Sequence, residues 1–196
     1  VFFGGSGTED DPFIITTPEQ LNEVRNYLSS CFELGTDLDL NCEPFNTGYG
    51  WGPIGSKEEP FTGRLDGKGY TINNLFINRT ADNYINIGLF GYTDNAILER
   101  LQLENVDIRG YHYVGGVVGH NVSGIVGHNV SGIINECCTT GNITGSWDCV
   151  GGLVGINDTG SEINNSYSEC IIKGVGSSAG GLVGANNGSI ANSYAT

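Results

Sequence analysis

Apolar residues in this chain come in short bursts, separated by Gly, Asn and Ser, and the bursts recur. IGLFG begins at Ile87, GGVVG at Gly115, GGLVG at Gly151 and GGLVG again at Gly180, in steps of 28, 36 and 29 residues. The long step contains an octapeptide written twice, VGHNVSGI at 118–125 and again at 126–133; removing one copy restores 28. A second column runs in register with the first: Ile134 opens INECCTTG, Ile163 opens INNSYSEC and Ile190 opens IANSYAT. A period this regular marks stacked coils. Short alternating runs such as GLVG and ILERLQLENVDI predict strands joined by turns. Helices across this region would pay for every interior glycine.

The expected fold is all-β, a right-handed parallel β-solenoid with one coil per repeat, about 28 residues each. Leu89, Val117, Leu153 and Leu182 form one predicted inward row; Ile134, Ile163 and Ile190 form another. Glycines are expected where the backbone needs positive φ or where coils approach closely. Asn121, Asn157 and Asn186 follow each glycine core after one residue, a pattern that predicts a stacked amide ladder at a turn. The doubled octapeptide reads as an insertion that loops outward and leaves neighbouring coils in register.

The N-terminal third differs. In TTPEQLNEVRNYL, Thr17 is placed as an N-cap, Pro18 at the first helical position and Gln20 as the partner of a capping box. Leu21, Val24 and Leu28 follow at helical spacing. The expectation is one domain, 1–196: a cap over 1–45 with a helix at about 18–28, then coils over 46–196. FELGTDLDL and FTGRLDGKGYTINNLFI read as the first strands.

The ordered series GGSGTEDDPFII, TPEQLNEV, TDLDL, WGPIG, FTGRLDGKGYTINNL, IGLFG and VGGLVGxNxGxIxNSYAT resembles GLUG-motif repeat proteins over nearly the whole chain. The resemblance implies a secreted or cell-surface β-helix, a family spread over bacterial and archaeal surface proteins, adhesins and some immunoglobulin A peptidases. In those larger proteins the repeats are an accessory or stalk, and no single activity transfers. The doubled octapeptide departs from the family pattern, as does a chain that stops part-way through a repeat.

Charge narrows the partners. Eight Lys and Arg stand against 22 Asp and Glu, a net charge of −14, which repels nucleic acid and anionic membrane surfaces. No apolar run reaches the ~20 residues of a membrane span. The opening VFFGGSGTEDDP carries no signal sequence and is consistent with a mature terminus. Six cysteines without zinc spacing and seven N-x-S/T sequons, at Asn78, Asn121, Asn129, Asn142, Asn157, Asn164 and Asn187, point to an extracellular, oxidising setting.

Candidate chemistry is sparse. His120 and His128 are copies of one position and read as solvent-facing; His112 stands alone. There is no Gly-x-Ser-x-Gly elbow and no HExxH, and VGGLVG lacks the Lys and Ser or Thr of a phosphate loop. Asp37 and Asp39, two apart on one predicted strand face, and Asp66 on a later turn are candidates for Ca²⁺; Glu9, Asp10 and Asp11 form a second acidic cluster. Solvated carboxylates are the better reading. Tyr111, Tyr113, Trp147, Tyr167 and Tyr194 could stack on sugar rings, although Tyr167 and Tyr194 read better as an aligned row bracing neighbouring coils. Cys137 aligns with Ser166 and Ser193 and is expected inward. Cys138 aligns with Tyr167 and Tyr194 and is expected outward, near Cys149 or Cys170. Cys31 and Cys42 would stand roughly 30 Å apart on one straight strand, so they pair only if the chain folds back near Gly35. At least one disulfide is expected.

The leading reading is a non-enzymatic extracellular structural protein, the subunit of a head-to-tail fibre or surface appendage. In it Val1, Phe2 and Phe3 add to the exposed edge of a second copy. The alternatives are an adhesin that grips surface glycan or a host or matrix protein, and a lyase-like β-helix enzyme, for which no acid, base and aromatic groove assembles. No catalytic residue and no cofactor is assigned.

Overall fold

The computed structural model describes residues 1–122, 132–174 and 178–196. It is a parallel β-solenoid of four faces. The first face is a seven-stranded sheet of Phe13–Ile15, Cys31–Leu34, Arg64–Asp66, Ile97–Glu99, Ile133–Asn135, Glu162–Asn164 and Ser189–Ala191. The second is built from Leu38–Asp39, Thr71–Asn73, Gln102–Gly110, Cys138–Gly145, Tyr167–Gly174 and Tyr194–Ala195, with Phe76–Arg79 also paired to Gln102–Gly110. Two short sheets close each later coil: Ile85–Ile87, His112–Val114, Val150–Gly151 and Ala179–Gly180 on the third face, and Phe90–Asp94, Val118–Val122, Val154–Asn157 and Val183–Asn186 on the fourth.

The register makes identical positions stack. On the first face Phe13, Phe32, Leu65, Leu98, Ile134, Ile163 and Ile190 pair in one unbroken column. Leu89, Val117 and Leu153 are fully buried in the glycine-motif row, with Leu182 packed against them. Both predicted rows are therefore observed. The glycines of that row serve close approach: a Cβ on Gly151 would lie 2.0 Å from Val154 O, and one on Gly115 2.2 Å from Val118 O. Left-handed backbone instead collects at the corner after the first face, at Arg100, Glu136, Asn165 and Asn192.

The doubled octapeptide leaves the stack intact. Val118–Val122 pairs with the coils on both sides, and so does Ile133–Asn135 beyond the insertion. The segment predicted to loop outward, with His128 and Asn129, lies outside the described residues, as does the Asn121 side chain.

Two boundaries differ from expectation. The helix spans Pro18–Glu23 with a 3-10 turn over Val24–Asn26, shorter than 18–28. Tyr27 leaves helical geometry at φ −141°, and Leu28 O beyond it accepts from the Thr62 and Gly63 amides of the next coil. Thr17 caps it as expected, accepting from Gln20 N at 3.3 Å, but Gln20 Oε1 returns to Thr16 N at 2.7 Å. Strand Phe13–Ile15 precedes the helix and already belongs to the first face. The solenoid therefore begins within 1–45, and the helix between its first two strands buries Leu21 and Val24 against the core.

Candidate binding face

The second face bends. Asn74 and Asn105 take left-handed φ of 60° and 54°, and Gly141 takes 130°, at successive coils; the register shifts there between Leu103 and Val106. The bend opens a groove of about 750 Å³ whose lining includes Asn74, Asn105, Asp107, Arg109, Asn142 and Lys173. Amides ladder along its floor: Asn105 Nδ2 donates to Asn74 Oδ1 at 2.6 Å, and Asn74 Nδ2 to Asp39 Oδ1 at 2.8 Å. Arg109, Thr144 and Lys173 pair in one register across three coils, and Arg109 Nη2 bonds Asp107 at 2.9 Å.

Beyond Arg109 the chain reaches an aromatic corner. Tyr111 and Trp147 stack at 6.0 Å and 23°, with His112 edge-on to Tyr111 at 4.9 Å. Trp147 is 52% exposed, whereas Trp51 is fully buried. Tyr113 and Tyr92 contact His120 at 5.6 and 4.8 Å. Tyr167 and Tyr194 stack at 5.4 Å and 9°, the bracing row expected of them.

His120 departs from the solvent-facing reading. It sits on a fourth-face strand, half-buried, with Nε2 3.6 Å from Asp158. Burial lowers its pKa more strongly than Asp158 raises it.

Most other cations are already engaged. Arg64 binds Glu99, Arg100 binds Asp66 and Lys68 lies 3.4 Å from Glu33, all along the first face. Arg25 donates to Gly52 O at 2.7 Å, and Arg79 lies 5.5 and 5.2 Å from the rings of Tyr49 and Tyr84. The proposed Ca²⁺ carboxylates are not assembled. Asp66 is on the first face and held by Arg100; Asp39 is on the second, accepting from Asn41 and Asn74; Asp37 lies just before that strand and accepts from Thr71 N. Among the described residues no group of three or more His, Cys, Asp or Glu could hold a metal ion.

All six cysteines are free thiols, so the expected disulfide is not formed. Cys31 opens the strand Cys31–Leu34 and Cys42 follows the strand Leu38–Asp39, on either side of the turn from first face to second at Gly35–Asp37. Cys137 is buried as expected, its backbone N donating to Ser166 Oγ at 3.1 Å. Cys138 pairs in register with Tyr167 but is buried, not exposed. Burial raises the pKa of every thiol and pushes Cys137 up to about 12.

The sequons divide by accessibility. Asn142 and Asn187 are exposed, and Asn78 and Asn164 are half-buried. Asn157 is fully buried, its Nδ2 donating to Asn186 Oδ1 at 2.7 Å and to Ser189 O at 3.3 Å. That bond is one rung of the predicted amide ladder, and it leaves no room for a glycan at Asn157. The N-terminal residues are also partly committed: Phe3 N donates to Ile14 O, and Phe2 stacks on Phe13 at 4.5 Å. Their backbone is thus spent on their own chain, while Val1 and the Phe3 side chain stay exposed.

Stacked identical coils with glycine-tight corners define a β-solenoid repeat protein. Within that class the chain carries a GLUG motif: the model of that motif matches residues 148–169. It is 41% identical over 127 residues to a protein of Evansella cellulosilytica named as a candidate Gly-rich membrane protein, covering 62% of this chain and 14% of that one. It is 32% identical over 174 residues to halomucin of Haloquadratum walsbyi, covering 84% of this chain and 2% of halomucin. The chain thus spans a small fraction of either relative. A crystal structure of a candidate immunoglobulin A1 protease from Bacteroides ovatus superposes with a TM-score of 0.73 at 20% identity, covering 99% of this chain and 78% of the other. At that identity the likeness is one of fold. No helix among the described residues is long and apolar enough to cross a membrane.

Proposed function

We propose that the protein is a non-enzymatic structural rod of the cell exterior, and that it extends by stacking coil on coil, head to tail. The unbroken column from Phe13 to Ile190 carries this reading, because a continuous core makes the coils one stiff body. The names of the two relatives favour a surface location. Uniformly raised thiol pKa values argue against a cysteine nucleophile. For the stacking step, Ile190 continues the column of fully buried Ile134 and Ile163 and is itself 38% exposed, and the exposed Phe3 of a second copy is the apolar partner proposed for it. Analytical ultracentrifugation of the purified chain with negative-stain microscopy tests it. Concentration-dependent linear particles that shorten in Ile190→Asp are expected; a strictly monomeric species at all concentrations removes the head-to-tail step.

A further inference from the structure

We propose that the bent second face binds a neutral polysaccharide, which lies in the amide-lined groove and stacks at its edge on Tyr111 and Trp147. A sugar ring presents C–H faces and a rim of hydroxyls that both donate and accept. The face offers a counterpart to each. Tyr111 and Trp147 stack on one another with their planes 23° apart, and Trp147 is half-exposed in a protein whose other tryptophan is fully buried, so the pair presents aromatic surface to solvent. Asn74, Asn105 and Asn142 supply amide donors and acceptors, and the Asp107–Arg109 pair supplies one of each in fixed geometry.

Position links the two parts. Asp107 and Arg109 project from the strand Gln102–Gly110, alternating with buried Val106, Ile108 and Gly110, and Tyr111 follows directly. Trp147 N donates to Tyr111 O, so the aromatic surface continues on the next coil. Coils repeat every ~4.8 Å, so polar groups recur along the groove as hydroxyls recur along a polymer. The volume of about 750 Å³ falls within the roughly 300–1,000 Å³ of ligand-binding clefts.

Charge selects a neutral chain. The protein carries −14, and within the groove Asp107 offsets one of the two lining cations, Arg109 and Lys173, so a polyanion meets at most one local positive charge against repulsion from the whole molecule. A peptide strand has no foothold here either, because the groove crosses a paired sheet and exposes no free edge.

The test is affinity electrophoresis of the full, unglycosylated chain in native gels containing hydroxyethylcellulose, arabinoxylan, galactomannan, dextran or polygalacturonate. Absence of glycan matters, since one attached at Asn142 would fill the same groove. Retardation by at least one neutral polymer is expected. It should weaken roughly tenfold or more in Trp147→Ala and in Tyr111→Ala, about 1.4 kcal/mol, and persist in Tyr167→Ala. Because Trp51 is buried, binding should also shield Trp147 emission from acrylamide. Circular dichroism confirms that each variant is folded. Retardation by none of the polymers overturns the proposal. So does unchanged binding in folded Trp147→Ala, or binding to polygalacturonate alone that vanishes with salt. Any of these leaves the rod reading untouched.

Discussion

Asn157 occupies a sequon, yet its amide nitrogen already has two acceptors, Asn186 Oδ1 and Ser189 O, and no exposed surface. Attaching a glycan there would break both bonds and push a polar polymer through the coil. Glycopeptide analysis of natively expressed protein is therefore expected to find Asn157 bare, while exposed Asn187, outside the groove, is open to modification. A glycan on Asn157 in folded material would refute the register. Cys137 gives a second residue-scale expectation. Its thiol ionises at an ordinary 9.0 when unfolded but only at about 12 when folded, because burial disfavours the thiolate. The folded state thus holds its proton more tightly. This stabilisation is fully present below pH 9 and is lost as pH rises through the folded value, by about 1.4 kcal/mol per pH unit. Ser166 and Ser193 fill the equivalent positions, each Oγ accepting the amide of the coil before, so Cys137→Ser fits the same ladder. The urea-derived stability gap between wild type and Cys137→Ser should be flat from pH 7 to 9 and shift in favour of the serine variant above it. Parallel curves to pH 11 would show that the thiol is not shielded.

At the scale of the element, the glycine motif and the apolar column constrain each other. Gly151 has no space for a methyl, since its Cβ would lie 2.0 Å from Val154 O, whereas a Cβ on Gly4 would rest 3.4 Å from Ile14 Cδ1. Gly151→Ala is expected to cost about 1–3 kcal/mol in chemical denaturation, and Gly4→Ala close to nothing. Leu153→Asp, which buries an unpaired charge in the row, should cost more than about 4 kcal/mol; tolerance of it would mean that the row faces outward. These positions were readable from sequence because the later coils repeat almost without interruption. The earlier half of the column, Phe13, Phe32, Leu65 and Leu98, was not, because its spacings of 19, 33 and 33 residues are disturbed by the helix and by the segment around Trp51. The bend of the second face was equally hidden. It depends on left-handed Asn74 and Asn105, and asparagine is permissive of that conformation without demanding it. Nor does composition reveal that Trp147 meets Tyr111, since their contact arises from coil-to-coil register rather than from proximity in the chain.

For the whole molecule, stability should vary along the axis, because each coil touches only its neighbours. The central coils bury their inward residues from both sides; Leu98, Val117, Val118 and Ile134 are essentially inaccessible. In the last coil no strand residue is buried, and Ser189–Ala191 is exposed throughout. Among hydrogen-bonded amides, exchange is therefore expected to be slowest at Val117 and Val118, which donate to Leu153 O, and fastest at Ser189 and Tyr194, which donate to Ser161 O and Ser166 O from the exposed last coil. The gradient also separates a solitary rod from one that stacks on itself. If a second copy seats on Ile190, the terminal amides become interior amides, and their exchange slows as protein concentration rises while that of Val117 stays constant. A terminal coil whose exchange is independent of concentration, from dilute to millimolar protein, would mean that the seat stays empty. Uniform protection along the axis would go further and contradict the coil-by-coil cooperativity on which the rod depends.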